Sequence, residues 1–315
     1  MPDAFSDPPR IAVLMATCNG AAHLAEQLES LAAQKLPPGL LVVSDDGSTD
    51  ATRAILAGFA AAHPALAVRL GEGPRKGSAL NFLSLILGLD ADAVDLVAIS
   101  DQDDVWLPAK LGRAAAALAG VAPGRPALCG GTSLVCDENL KVKGRLPLPR
   151  RPPEFRNALV QNFAAGNTMV LNRPALKLLQ AAGAGVSGLV VHDWWIYQVL
   201  SGAGAEVLFD AEPVLLYRQH DGNLIGANHG ALAKLRRLGL MLVGRFRAWN
   251  EVNLAALAAA EPLLTAENRR ILHDFRALRR QGFFARLGSL RRLGLYRQGL
   301  AGNLSLWIAT ALGKV

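Results

Sequence analysis

Three carboxylates fall within four residues in the stretch Ser100-Asp101-Gln102-Asp103-Asp104-Val105-Trp106. The run before it, Val94 to Ile99, is apolar and reads as a buried strand that closes in a burst of acid. At the C-terminal edge of a strand in an open α/β sheet, such a turn lies where ligands bind. Side-chain oxygens at this density, with no Cys or His adjacent, suit a hard divalent ion, Mg2+ or Mn2+. Such ions keep part of their shell for substrate phosphates, so the turn points to an enzyme acting on a diphosphate-bearing substrate. The competing reading is a solvated acidic loop after a strand, and this stretch alone leaves both open.

A second acidic turn, Ser44-Asp45-Asp46-Gly47-Ser48-Thr49-Asp50, follows the apolar run that begins at Leu40. Gly47 permits a positive φ or a close approach. Ser48 or Thr49 can cap the helix that follows. Asp45 is expected only to turn the chain. Asp46 is expected to stay free at the sheet edge, where its carboxylate can accept a hydrogen bond from a base N–H.

The elements that must hold these turns alternate. Strand patterns at Ile11–Ala16, Leu40–Ser44, Ala67–Leu70 and Val94–Ser100 are followed by helical patterns at Ala21–Ala33, Thr49–Ala62, Gly77–Leu89 and Pro108–Leu118. Pro108 suits a helix's first turn, where no backbone donor is needed. Repeated β-α units predict a doubly wound, mostly parallel sheet with its loops gathered at one edge. Further on, strands are expected at Ala127–Cys136, Ala165–Leu171, Glu206–Asp210 and Val214–Tyr217, and helices at Pro174–Ala182 and His192–Leu200. Residues 144–153, rich in Pro and Arg, read as a mobile loop. Helical patterns dominate from Gly230 onward.

With 315 residues, 51% hydrophobic and 19% charged, the chain is a core-forming globular protein. Cys18, Cys129 and Cys136 have no metal-ligand spacing; free buried thiols and a reducing cytoplasm are expected. The first ten residues lack the features of a signal peptide, and no apolar run reaches the length of a membrane span. The net charge of +7 is unevenly placed: residues 1–229 carry 18 Lys and Arg against 22 Asp and Glu, whereas residues 230–315 carry 15 against 4. Two regions follow, a mildly acidic 1–229 and a basic helical appendage at 230–315.

In order and spacing, Ala16-Thr17-Cys18-Asn19-Gly20, then Asp45-Asp46-Gly47-Ser48-Thr49-Asp50, then Asp101-Gln102-Asp103-Asp104 resemble the family 2 glycosyltransferases, which have the GT-A fold. Ser-Asp-Gln-Asp-Asp-Val-Trp, His192-Asp193-Trp194-Trp195 and Tyr217-Arg218-Gln219-His220 resemble the bacterial rhamnosyltransferase-like branch. The matches run from about residue 10 to residue 226, roughly two thirds of the chain. The resemblance implies that Thr17 and Asp46 contact the nucleotide base and ribose. It implies that Asp101 and Asp103 form the Asp-X-Asp metal motif, with Asp103 the direct ligand and Asp104 a supporting or capping residue. Lys76 and Asn81 lie where the family places donor-binding groups. Arg218 and His220 share a loop, 218–226, that the resemblance sets over the donor diphosphate; His220 reads either as structural or as a contact to metal or phosphate. Ala165-Gly166-Asn167-Thr168 resembles the acceptor-side strand, with Gly166 allowing close approach. One departure stands out: Cys18 occupies a position where the family commonly has an aromatic residue, and a cysteine cannot stack on a base.

Asp193 opens the predicted helix His192–Leu200, whose N-terminus favours an ionised carboxylate. Such a carboxylate can take the proton from an acceptor hydroxyl, and the resemblance implies that it is the catalytic base of an inverting transfer. The rival reading is a plain helix cap. Of Trp194 and Trp195, adjacent on the helix, one is expected in the core and one lining the sugar or acceptor pocket.

The basic tail interleaves Arg236, Arg237, Arg245, Arg247, Arg269, Arg270, Arg276, Arg279, Arg280, Arg286, Arg291 and Arg292 with Leu and Phe. That pattern fits helices lying on an anionic membrane, or helices packed on the catalytic domain with a solvated basic face. Nucleic acid is not expected, since aromatics are few and no recognition motif occurs. The expected activity is transfer of a sugar, with dTDP-L-rhamnose as leading donor, to a cell-surface glycan or lipid-linked saccharide at the cytoplasmic membrane face. The non-enzyme rival is a catalytically silent, membrane-associated scaffold of the same fold. A dehydrogenase or sugar-nucleotide-forming enzyme would want a Gly-rich loop after the first strand, and Thr17-Cys18-Asn19-Gly20 is not one.

Overall fold

The computed structural model describes residues 8–162, 165–220 and 245–315. Four strands, β1 (Ile11–Thr17), β2 (Leu40–Asp45), β3 (Ala67–Glu72) and β4 (Leu96–Ser100), alternate with α1 (Leu24–Ala32), α2 (Thr52–Ala62) and α3 (Ser78–Gly88). After them come β5 (Val105–Trp106), α4 (Lys110–Ala119), β6 (Ala127–Cys136), β7 (Val142–Arg145), α5 (Phe155–Ala158), β8 (Val170–Asn172), α6 (Arg173–Gly183), α7 (His192–Gly202) and β9 (Glu206–Arg218). Four more helices follow: α8 (Arg245–Ala260), α9 (Ala266–Leu278), α10 (Phe283–Leu293) and α11 (Leu300–Ala311).

The strands form one sheet in the order β3-β2-β1-β4-β8-β6-β9-β5, with β7 also paired to β6. Its first half is parallel, β1 lying between β2 and β4. Its second half is mixed: β8 runs antiparallel to β4 and β6, and β9 parallel to β6. All seven residues of β1 are buried. Strand side chains alternate between faces, so Ala12, Leu14 and Ala16 enter one core and Ile11, Val13 and Met15 the other. A strand covered on both faces reads as a continuous apolar run, which is how β1 and β4 are written. Because β1, β2 and β4 are parallel, with Thr17 beside Asp45 and Met15 beside Ser100, their exit loops emerge at one edge. Both acidic turns are therefore neighbours in space.

The basic C-terminal helices share the first core. Leu257, Leu272, Phe275, Leu278, Leu290, Leu293 and Leu306 join Phe82, Leu176 and Trp195 in one buried cluster. Arg236 and Arg237 lie outside the described residues.

Several local expectations are corrected. Residues 165–171 are not one strand: Gly166–Thr168 form a 3-10 turn, and pairing begins at Val170. The two strands expected at 206–217 are one, β9, which shifts register against β6 around Thr132 and so passes Pro213. The stretch 144–153 is pinned. Arg150 and Arg151 donate their amides to Gln298 Oε1 at 2.9 and 3.1 Å, and the Arg151 guanidinium lies 3.5 Å from the Tyr296 ring centroid. Pro108 precedes its helix, which starts at Lys110. Both Trp194 and Trp195 are buried. Their helix is covered on more than one side: Trp194 packs by Phe246 and Trp249 of α8 and donates Nε1–H to Ala158 O at 2.6 Å, while Trp195 faces the main core.

Candidate active site

The loops after β1 and β2 are fastened to each other by short side chains. Asp45 is buried and accepts from Thr17 Oγ1 at 3.0 Å and from the Ser48 amide and hydroxyl at 3.2 and 2.5 Å. It turns the chain, as expected. Thr17 is correspondingly buried and gives its hydroxyl proton to Asp45, so the base or ribose contact expected of its side chain finds no free donor. Asn19, at φ 48°, donates its amide to Ser48 Oγ at 2.8 Å and accepts from the Thr49 amide at 2.8 Å. Ser48 and Thr49 are thus spent on Asn19 rather than on capping. Asp50 takes the Thr52 amide at the start of α2 at 3.0 Å.

Asp46 is not free either. Its two oxygens accept the backbone amides of Arg75 at 2.5 Å and Gly77 at 2.8 Å. A carboxylate at a strand end collects nearby orphan N–H groups, and each oxygen keeps capacity for a second hydrogen bond. Asn81 is buried, donates to Ser44 O at 2.9 Å, and has an unpartnered Oδ1. Gly73 lies so close that a Cβ there would sit 2.6 Å from Asp46 Oδ1 and 3.0 Å from Asn81 Oδ1. Asp46, Asn81 and the exposed Lys76 therefore border one corner of the sheet edge.

The turn after β4 carries the charge. Asp104 is wholly buried and accepts from Asn167 Nδ2 at 2.5 Å and the Arg218 amide at 3.3 Å. Burial, then Asp103, pushes its carboxyl up to about 7. Burial, with Asp104, Asp103 and Asp193 beside it, holds Asp101 well above the usual carboxylate range; only Lys110 opposes them. Asp103 Oδ2 lies 2.8 Å from His220 Nε2. Arg218 is buried and spends its guanidinium on Asp103 O, Glu138 O and Glu26. These bonds brace the acidic turn, which departs from the expected reach to a donor diphosphate. The rest of that loop, 221–226, lies outside the described residues.

Asp193 sits in the first turn of α7, where it accepts from the Gly166 amide at 3.1 Å and the Trp194 amide at 2.7 Å. Gly166 is there for close approach: a Cβ would press into His192 Nε2 and lie 3.3 Å from Asp193 Cβ. Because the next residue, Asn167, bonds Asp104, the turn 166–168 links Asp193 to the acidic turn some 90 residues earlier.

Four site residues were not foreseen from sequence. Gln102 clasps Cys18, accepting its amide at 2.9 Å and donating to its carbonyl at 3.1 Å. Cys18 itself is exposed, while Cys129 and Cys136 are the free buried thiols expected. His23 has its ring centroid 5.0 Å from that of His220. Lys110 is buried with its ammonium 2.5 Å from Asn167 O and 3.1 Å from the Trp106 ring centroid. A cation in a helix's first turn opposes the helix dipole, which was the one available hint for Lys110. Asn167 was marked only as part of the segment 165–168, with no role of its own.

Among the described residues no three His, Cys, Asp or Glu side chains form a ready metal cage. The donor set nonetheless fits a divalent ion that completes its shell on substrate phosphate. Asp103, Asp101 and His220 offer oxygen and imidazole ligands, and the crowded carboxylates are short of positive charge.

The profile of glycosyl transferase family 2 matches residues 12–167. The dTDP-rhamnosyl transferase RfbG of Shigella flexneri is 30% identical over 252 residues, covering 78% of this chain and 85% of that protein. Among solved structures, the mannosyltransferase PcManGT of Pyrobaculum calidifontis, in complex with GDP-Man and Mn2+, superposes with a TM-score of 0.54 at 18% identity over 100% of this chain and 89% of that one. TarS 1-349 of S. aureus, in complex with UDP-GlcNAc, gives 0.53 at 16% over 91% and 93%. These likenesses establish the GT-A fold. The match to the Shigella enzyme across most of both chains, together with the family profile, shows that this protein belongs to glycosyl transferase family 2 and is a glycosyltransferase.

Proposed function

We propose that the protein moves a sugar, with inversion, from a nucleoside-diphosphate donor to a hydroxyl of a cell-surface glycan or lipid-linked saccharide. The observation that supports this reading is that adjacent residues of one turn bond the loops of both acids, the Gly166 amide to Asp193 and Asn167 Nδ2 to Asp104. Asp193 takes the proton of the acceptor hydroxyl as that oxygen attacks the anomeric carbon. The bond from that carbon to the diphosphate oxygen breaks, and the diphosphate leaves with the electron pair. Asp103, with Asp101 and His220, would hold Mg2+ or Mn2+, which supplies charge compensation for the departing diphosphate. Asp46, Asn81 and Lys76 bind the nucleotide end. The name of the Shigella relative supports dTDP-L-rhamnose as the first donor to try.

In this reading catalysis belongs to residues 1–229. The appendage 230–315 rests on the cytoplasmic membrane face, and its described helices α8 to α11 cover the core. Exposed Leu300, Leu304, Trp307 and Ile308 recur at helical spacing on α11, with exposed Leu312 just past its end, which supports such a surface. No described helix is long and apolar enough to cross a membrane.

The test is melting of the purified protein against dTDP-L-rhamnose, UDP- and GDP-sugars, each with Mn2+, Mg2+ or EDTA. A ligand that binds only the folded state raises Tm. A shift with one nucleotide that EDTA removes is expected; no shift with any nucleotide would sink the reading.

A further inference from the structure

Asp193 and the acidic turn come from distant parts of the chain, yet one short segment touches both. The 3-10 turn Gly166–Thr168 donates the Gly166 amide to Asp193 Oδ2 at 3.1 Å. The next residue, Asn167, donates Nδ2–H to Asp104 Oδ2 at 2.5 Å. Its carbonyl accepts from Lys110 Nζ at 2.5 Å. Asn167, Asp104 and Lys110 are 2%, 0% and 1% exposed, so water cannot replace any of these bonds cheaply. Lys110 is itself held over the Trp106 ring, at the far end of the same turn. The segment cannot slide, because Ile99 donates its amide to Met169 O at 3.1 Å, tying the turn to β4.

We propose that Asn167, held by Lys110, is a positioning residue that fixes the separation between the acidic turn 101–104 and Asp193. This rests on the roles given above to Asp103 and Asp193. An inverting transfer needs the leaving group and the base on opposite sides of one carbon, and misplacement by about 1 Å costs on the order of 100-fold in rate. Two loops held only by their own strands would drift independently. A strut bonded to both removes that freedom. It leaves the nucleotide corner at Asp46 and Asn81 untouched, because nothing in the strut contacts it.

The test is a donor–acceptor swap. Asn167→Asp sets two carboxyl groups against each other across the 2.5 Å bond, and Asp104→Asn leaves a single oxygen for the Asn167 and Arg218 amides, so that both are served only with the Asn167 amide turned over. The double variant restores a bond with its direction reversed, and the amide oxygen then present at position 104 can still accept the Arg218 amide. Three readouts are taken: release of dTDP from dTDP-L-rhamnose with Mn2+, the Tm rise caused by dTDP with Mn2+, and hydrogen exchange of the peptide spanning Gly166 to Met169. Each single variant is expected to lose on the order of 10- to 100-fold in kcat, with the dTDP-induced Tm rise and the donor KM unchanged and exchange at 166–169 faster. The double variant recovers most of kcat and the slow exchange. Lys110→Met gives the single-variant signature.

Unchanged kcat and exchange in both single variants would overturn the proposal. So would a double variant that regains Tm and slow exchange but not turnover. If the single variants melt far below the wild type, the double variant alone decides by the same criterion. Asp103→Asn and Asp193→Asn are run alongside. Should they retain turnover, the two-loop mechanism fails whatever the swap shows. Should they abolish it while the swap moves nothing, only the strut fails. If dTDP-L-rhamnose is not turned over at all, exchange in the swap series decides: no acceleration in the single variants overturns the strut.

Discussion

The nucleotide and acceptor sides of the proposed site are built differently. On the nucleotide side, the loops after β1 and β2 hold each other through Asn19, Ser48, Thr49, Asp50 and Asp45, all within a few residues of a strand end. On the acceptor side, Asp193 comes from the first turn of a helix and Gly166 from a 3-10 turn. Local turn chemistry shapes the first side. Long-range packing, and buried hydrogen bonds such as Asn167 to Asp104, shape the second. The nucleotide side should therefore tolerate damage to the core better than the acceptor side does.

The sharpest separation is between the two acids. Asp193→Asn is expected to lower turnover by about 10²- to 10⁴-fold while leaving the metal-dependent Tm rise with nucleotide intact. Asp103→Asn should lower turnover comparably and also abolish that Tm rise. If both variants lose nucleotide binding, the division into two sides is wrong.

Core damage comes next. Trp194→Ala removes a buried indole and its bond to Ala158 O, so unfolding in urea should show a loss of about 3–5 kcal/mol. Folded Trp194→Ala at low temperature should bind nucleotide normally and turn over slowly, since α7 carries Asp193. Equal losses in binding and turnover would contradict the comparison.

Two glycines give a matched pair. Gly166→Ala forces a methyl into the buried His192 ring and toward Asp193, at a cost of about 1–3 kcal/mol with a fall in kcat. Gly20→Ala meets only the far end of Gln102, which can swing away, losing its clasp on Cys18. Its signature should be a raised donor KM with near-native Tm. Reversal of the two signatures would show that the close approach at Gly166 does not serve Asp193.

The smallest effect concerns His192, which stacks on Phe82 with centroids 3.9 Å apart. Burial holds it below the ordinary value of 6.5, with Asp193 opposing. The unfolded chain then takes the proton first, so this contribution is full above pH 6.5 and is lost as pH falls below it. His192→Gln should melt with a smaller drop than wild type between about pH 7.5 and 5.5. An equal drop in both proteins would assign the acid lability elsewhere.

The amino-acid sequence by itself determined the alternating first half, the two acidic turns and the identity of the residues with chemical promise. Those signals are local. An apolar run closing in Asp101 and Asp103, or Asp45-Asp46-Gly47 before a helix, encodes strand, turn and edge within a dozen residues. It could also mark Asp45 as a turn former, because a buried Asp beside Ser48 has little else to do. It could not tell that Arg218 turns away from the cleft, that Thr17 and Asp46 are already bonded, or that Trp194 and Trp195 are both buried. Each of those outcomes depends on what a distant segment presents: Glu138 and Glu26 to Arg218, the Arg75 and Gly77 amides to Asp46, α8 to Trp194. Lys110 and Asn167 belong with them. Nothing near either residue in sequence announces a bond, and only folding brings α4, the 3-10 turn and the acidic loop close enough for buried polar groups to satisfy one another.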